Sequence, residues 1–289
     1  MATTLNRILV ATDLSLHAER AVQRAGLLAQ RDGAELLIVH AKPRTSALRN
    51  WFGDDSVVQT LERGAASALD GLVRGLSERG VKVRGEVVEG KAYRAVAESV
   101  EMFQPDLVVI GAHGEGAVSQ FFLGGTAAKL IDCSARPTLI VRGEARSDYR
   151  SLLIGLDLGT SSGAVLAMAQ AVGSGARYTA LHAYQAPHEG RMRVQHIPED
   201  SIASYVARGR EQALETLRQL LREAGSSFGA VVPRIESGHP NAVIPQVARE
   251  IDGDLIAVAR HGGDRFEEAV LGSVPRFLAY HAHCDVLIV

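Results

Sequence analysis

The chain has 289 residues, of which 46% are apolar and 22% charged, with a formal net charge of −2. That length suits roughly two domains, each with enough apolar material for its own core. The near-neutral balance argues against a nucleic-acid partner, and no apolar run approaches the roughly 18 residues that cross a bilayer.

The first apolar run, residues 7–12, predicts a short strand, and Asp13 follows it directly. Four apolar residues at positions 8–11 are too few for the core of a signal peptide, so a cytoplasmic chain is expected. Residues 14–31 switch to helical spacing, with Ala18, Val22, Ala25, Leu28 and Ala29 on one face. Ser15 is placed to cap that helix and Gly33 to stop it. Residues 34–40 read as a second strand. Residues 56–79 read as a longer helix with Val57, Leu61, Ala65, Leu69, Leu72 and Leu76 facing inward. Strand 81–88, helix 93–102, strand 107–111, helix 127–133 and strand 138–141 complete the series.

The same order then starts again. Strand-type segments fall at 152–156, 177–183, 231–235, 255–259 and 286–289, and helical ones at 163–172, 201–224, 243–250 and 274–280. Alternation of this kind makes β-α-β units and a mostly parallel sheet. Runs such as Leu36-Leu37-Ile38-Val39 and Leu107-Val108-Val109-Ile110, with no polar alternation, suit strands buried on both faces. Two stretches, 42–55 and 185–200, read as irregular. Each is either a lid or partner surface, or a solvated loop.

The recurrence extends to sequence. ILVATD at 8–13 returns as LLIGLD at 152–157, DLVVIGAHG at 106–114 as DLIAVARHG at 254–262, and PTLIV at 137–141 as DVLIV at 285–289. The offset is 144 residues for the first pair and 148 for the others. Four matched blocks in one order, counting the His40-Ala41 and His182-Ala183 strand ends, mark a duplicated domain rather than a solenoid unit. The copies are assigned to residues 1–143 and 150–289, with a short charged link that holds no proline. So short a link predicts that the halves pack together.

The chemistry concentrates where a strand runs into a helix. Gly111-Ala112-His113-Gly114 is followed, after nine residues, by Gly124-Gly125-Thr126. Glycines let an anion approach the main chain, and the N–H groups at a helix N-terminus would hold it. With strand order 3-2-1-4-5, Asp13 and these glycines share the crevice at the switch point of the sheet. The spacing is compatible with a nucleotide phosphate site and with a purely structural turn. It is neither a P-loop nor a dinucleotide-binding glycine signature.

These segments, with the His40-Ala41 strand end and the closing PTLIV strand, together resemble the universal stress protein family. Its ATP-binding members share G-x-x-G, nine residues, then G-[ST]. The resemblance covers both halves and so points to a tandem member. It implies a five-stranded α/β fold and, in some members, ATP or AMP binding. It also implies pairing through the last strands, here inside one chain as a pseudo-dimer. Carried onto this chain, the nucleotide-binding candidates are Asp13, Ala41, Gly111, Gly114, Gly124, Gly125 and Thr126 in the first copy. In the second they are Asp157, Gly262, Gly272 and Ser273.

Each copy departs from the pattern once. Gly125 stands where Ser or Thr is expected, with Thr126 one residue late, and Glu115 sets a carboxylate beside the phosphates. In the second copy Ala259 replaces the first glycine, and Arg260 and Arg265 are expected to offset it with positive charge. The surviving glycines favour the first copy. His113 and His261, at one repeat position, are read as turn-packing residues before general bases. His40 and His182 are read as buried and hydrogen-bonded, and His281, His283 and Cys284 lack a fourth ligand for zinc.

The expectation is a cytoplasmic regulatory protein, not an enzyme, with no catalytic or metal residues. It takes ATP or AMP, with or without Mg, and meets an unidentified protein partner or a second copy of itself. Neither nucleic acid nor membrane is expected. The alternatives are a scaffold with vestigial pockets and a slow ATPase.

Overall fold

The computed structural model describes residues 4–52, 54–112, 123–225, 231–262 and 271–289. In the first half the order is β1 (Arg7–Thr12), α1 (Leu16–Asp32), β2 (Glu35–Lys42), α2 (Thr45–Phe52), α3 (Asp55–Ser77), β3 (Lys82–Glu89), α4 (Ala92–Phe103), β4 (Leu107–Gly111), α5 (Gly125–Cys133) and β5 (Thr138–Val141). The second half runs β6 (Ser151–Gly155), α6 (Ser162–Val172), β7 (Arg177–Tyr184), α7 (Glu189–Val194), α8 (Glu199–Glu223), β8 (Val231–Ser237), α9 (Pro240–Glu250), β9 (Leu255–Val258), α10 (Ser273–His281) and β10 (Asp285–Ile288).

All ten strands join one sheet in the order β3-β2-β1-β4-β5-β10-β9-β6-β7-β8. Within each half every pairing is parallel and follows 3-2-1-4-5, as the alternation predicts. The halves meet through β5 and β10, which pair antiparallel with Leu139 opposite Leu287. This is the intrachain pseudo-dimer. Two apolar clusters cover the sheet, one on each face, and both run through the seam from one half into the other. Strands with no exposed face explain the unbroken apolar runs in the sequence.

Local signals place most helices. Ser15 accepts from the Ala18 N–H at 3.2 Å, and Gly33 closes α1 at φ 70°, a left-handed conformation that glycine adopts at little cost. Leu14 lies outside that helix at φ 65°, and its repeat partner Leu158 has φ 63°. A leucine there costs about 1 kcal/mol or more, yet both copies keep it at the turn that follows Asp13 or Asp157.

Three readings need correction. Residues 42–55 and 185–200 are not wholly irregular, since they contain α2 and α7. Both helices are short and lack the sustained periodicity that marks a longer one. In α3 the inward face begins at Val58, while Val57 and Leu61 are exposed. Val58 in the first turn is 2% exposed, so the buried stripe is displaced by one residue there and does not pass through Leu61. No helix among the described residues is long and apolar enough to cross a membrane.

Arginines stitch the seam by reaching carbonyls of the other half. Arg31 of α1 donates to Ala171 and Val172 at the end of α6, Arg142 to Ala279 in α10, and Arg260 to Ile131 in α5. Each meets the carbonyl-rich end of a helix, where positive charge is favoured. Asp285, beside Arg142, is 2% exposed. It accepts from the Arg142 N–H at 2.7 Å, the Gly143 N–H at 3.1 Å and the Tyr149 hydroxyl at 2.6 Å. Arg24 lies 3.8 Å away and stacks over the Tyr149 ring at 3.9 Å. The link between copies is thus bound into the core of the pair.

Candidate functional site

Each half has a switch point where its first strand lies between the second and fourth, and ligands of open α/β sheets bind at the carboxyl ends there. In the second half this crevice is a cavity of about 440 Å³, within the usual range for small-molecule sites. Its floor is the ends of β6, β7 and β9, with Gly155, Leu156, Leu181, Ala183, Val258 and Ala259. Pro240 and Ile244 of α9 form one wall, and Val274 and Pro275 of α10 the other.

The polar groups converge at one end. Asp157, Gly262, Gly272 and Ser273, four positions named from the sequence, all line this cavity. Gly272 caps α10 and Ser273 opens it, and among the described residues no side chain caps the helix start. Its first N–H groups and the helix dipole therefore face the crevice as an anion site. A side-chain carbon at Gly262 would stand 3.5 Å from Asp157 Oδ2, so loop and carboxylate are neighbours. Asp157 Oδ1 accepts from the Gly159 N–H at 2.9 Å and from the Ser162 hydroxyl at 3.3 Å, which fixes the carboxylate at the head of α6.

Two histidines also line the cavity: His261, read from sequence as a turn-packing residue, and His182, read as buried and hydrogen-bonded, which is hydrogen-bonded but only half-buried. His182 Nδ1 stands 2.8 Å from the Leu156 carbonyl. A carbonyl only accepts, so Nδ1 carries the proton and Nε2 of the neutral ring is an acceptor. His40 repeats the arrangement at 3.0 Å from the Thr12 carbonyl. His261 Nε2 is buried with no hydrogen-bond partner among the described residues. That polar atom lies in the wall of a cavity, which a turn-packing role leaves unexplained. Ala183 was missed too, although its repeat partner Ala41 was named, and the repeat offset was the signal that could have found it.

Arg260 does not supply charge to this cleft. Its side chain turns to the Ile131 carbonyl of the first half, and it is not among the cavity residues. Arg265 lies outside the described residues. Residues 185–200, one of the two candidate lids, contribute nothing to the cavity lining.

In the first half, Asp13 follows β1, Ala41 is the penultimate residue of β2, Gly111 ends β4, and Gly124 caps α5. All reach the same carboxyl edge. Asp13 Oδ1 accepts from the Ser15 N–H at 3.0 Å, the counterpart of the Asp157 contact. Gly125 occupies the place of Ser273, and Thr126 lies one residue on, rotated about 100° around the helix axis. Its hydroxyl is therefore not in the position of the serine. Gly114, His113 and Glu115 lie outside the described residues.

No group of three or more metal-ligating side chains occurs among the described residues. Cys133 and Cys284 are both free. Burial pushes the Cys284 thiol up to about 12, which makes it inert as a nucleophile.

The comparisons agree with this architecture. The model described as "Universal stress protein family" matches residues 4–142 and again 148–289. A universal stress protein from Thermus aquaticus is 36% identical over 47% of this chain and 97% of its own length. One from Mycolicibacterium smegmatis is 24% identical over 98% of this chain and 96% of its own. In shape, a universal stress protein from Archaeoglobus fulgidus superposes with a TM-score of 0.70 at 17% identity, covering 98% of this chain and 97% of that one.

Proposed function

Because this chain belongs to the universal stress protein family, with two family domains in tandem, we propose that it is an adenine-nucleotide-binding regulatory protein. It is a binding module rather than an enzyme, and its ligand is ATP or AMP. The observation that carries this reading is the second-half cavity, which gathers Asp157, Gly262, Gly272 and Ser273 around an uncapped helix N-terminus. An apolar slot between strand ends suits a base. The Asp157 carboxylate suits ribose or base donors, and the α10 N-terminus suits a phosphate.

The first half offers the same edge with Gly111 and Gly124, so the chain has two candidate clefts. Their ligand-bound forms would present a different surface to a protein partner, with the glycine loops and residues 42–55 as the segments that change. A cytoplasmic setting fits the two unpaired cysteines.

Native mass spectrometry followed by calorimetric titration with ATP and Mg tests this. Bound nucleotide mass is expected, and Gly262→Val should weaken second-cleft binding at least tenfold, because a Cβ there already touches Asp157 at 3.5 Å and the two γ-methyls beyond it would fill the cleft beside the carboxylate. No adduct and no titration heat would overturn the reading in favour of a scaffold with closed pockets. Metal-dependent phosphate release lost in Asp13→Ala would instead reveal a slow ATPase.

A further inference from the structure

The two clefts are joined by a side chain that the fold itself does not require. Arg260 stands at the mouth of the second-half loop. Its N–H donates to the Val289 carbonyl at 2.7 Å, and its carbonyl accepts from the Gly272 N–H at 2.9 Å. In the first half Ala112 makes the same two bonds, to Val141 at 2.9 Å and from Gly124 at 2.9 Å. Alanine therefore satisfies this backbone, and the arginine is extra. It carries a cost, since Nη2 is buried with no partner among the described residues.

What the arginine adds is a bond across the seam. Its Nη1 donates to the Ile131 carbonyl in the last turn of α5, the helix whose first turn is the anion site of the other half. A second contact lies alongside, with Arg276 of α10 reaching Asp132 of α5 at 2.9 Å. The first half returns a bond to the matching carbonyl, since Arg142 reaches Ala279 of α10, the repeat partner of Ile131, but it does so from the end of β5 and not from the glycine loop. The repeat partner of Arg276 is Ala128, so the second contact is not returned. The backbone of residue 260 is thus fixed to the rim of one cleft, and its side chain to the helix that builds the other.

We propose that Arg260 is a positioning residue that couples ligand occupancy of the second cleft to α5 and so to the anion site of the first. The coupling rests on the reading of the clefts as nucleotide sites. A ligand drawn to the α10 N-terminus moves Gly272 and, through its bond to the Arg260 carbonyl, the guanidinium that holds α5. Linkage makes the effect reciprocal for binding. Its size is expected near the low end of measured couplings, about fivefold.

The test uses the full chain carrying Gly125→Asp. Among the described residues nothing lies within 4 Å of a side-chain carbon at Gly125, so the carboxylate has room there while repelling anions from the first cleft. ATP with Mg is titrated by calorimetry, and amide exchange is followed through residues 130–133. ATP is expected to slow exchange there about fivefold, and Arg260→Gln to abolish that response. A merely structural role would instead speed exchange equally with and without ATP, and Arg260→Lys should restore part of the response. Binding without any change in residues 130–133, or a change that survives Arg260→Gln, overturns the coupling and leaves nucleotide binding intact. If ATP titrates nowhere in the unaltered chain, the nucleotide reading fails instead. The coupling is then decided without ligand by Ala183→Phe, which fills the cavity. Altered exchange at 130–133 that requires Arg260 supports it, and none overturns it.

Discussion

The two copies end their second strands in different ways, although the backbone is the same. In the first half Lys42 Nζ lies 2.6 Å from Glu62 of α3 and 3.0 Å from Glu89 at the end of β3. The Thr45 hydroxyl is 2.8 Å from Glu62 and 3.0 Å from Glu89, and donates to one at a time. In the second half the equivalent residue is Tyr184, which lies under α8 at Gly209. A side-chain carbon at Gly209 would come within 1.8 Å of the phenol oxygen. At this one position the first copy holds its outer helix by charge and the second by shape. A duplicated fold can therefore keep its strand order while the forces on its rim diverge. The Lys42 contact answers to acid and salt, the Tyr184 contact to volume.

The largest expected effect lies at the seam, where the copies also differ. Asp285 is buried in the network of Arg24, Arg142 and Tyr149, and its repeat partner is Pro137. Asp285→Ala leaves buried arginine charge without its anion and should cost about 3–5 kcal/mol. Pro137→Ala should cost much less. Urea unfolding of the two variants measures both, and equal losses would show that the seam is not asymmetric.

A smaller effect, about 1–3 kcal/mol, is expected from Gly209→Ala, which forces Tyr184 out of its place. In a Tyr184→Ala background the same change should become stabilising by about 0.5–1 kcal/mol, because alanine favours the helix over glycine. A double-mutant cycle that shows no change of sign would break the claim that shape holds this rim.

The smallest effect concerns the ionic rim. The hydrogen bond from Lys42 holds both the Glu62 and Glu89 carboxylates below the usual glutamate range. Carboxylates with depressed values stabilise above the ordinary range, and that contribution disappears as pH falls through the depressed values. Hydrogen bonding to Glu62 raises the Lys42 value, so its side of the contact persists at every pH below the ordinary lysine range. Lys42→Ala should therefore speed amide exchange in α2 a few-fold at neutral pH and low salt. The ratio to the unaltered chain should approach one in acid or in high salt. A ratio independent of pH would sink the ionic account, and the same substitution should leave α7 unchanged.

Much of the fold was legible before any coordinates. Continuous apolar strands, the Ser15 cap, the Gly33 stop and the matched strand endings all act within a few residues, so a linear reading catches them. Short helices were not legible. Residues 45–52 and 189–194 offer too few turns for a period to show, and their helicity depends on what they pack against. The inward face of α3 was mistaken for a related reason, since Val57 and Val58 are adjacent apolar residues and only the packing shows that Val58 is the buried one.

The candidate site divides along the same line. Asp157, Gly262, Gly272 and Ser273 could be named because their chemistry depends on residue type and spacing. His182, Ala183 and Ile244 were not named as site residues, because an apolar wall looks like any other core. Arg260 was assigned to the wrong side, since a charge near a glycine loop says nothing about which way its side chain turns. The sequence by itself determined that this protein is a duplicated α/β domain with a glycine-bearing strand-to-helix turn in each half. Periodicity, caps and repeat offsets are local or recur at a fixed separation. The family resemblance already implied that the last strands pair, but only the tertiary structure decided the register of the β5–β10 seam, the buried Asp285 network and the reach of Arg260 to α5. Those depend on residues more than a hundred positions apart meeting in one low-dielectric interior, and no spacing along the chain encodes that.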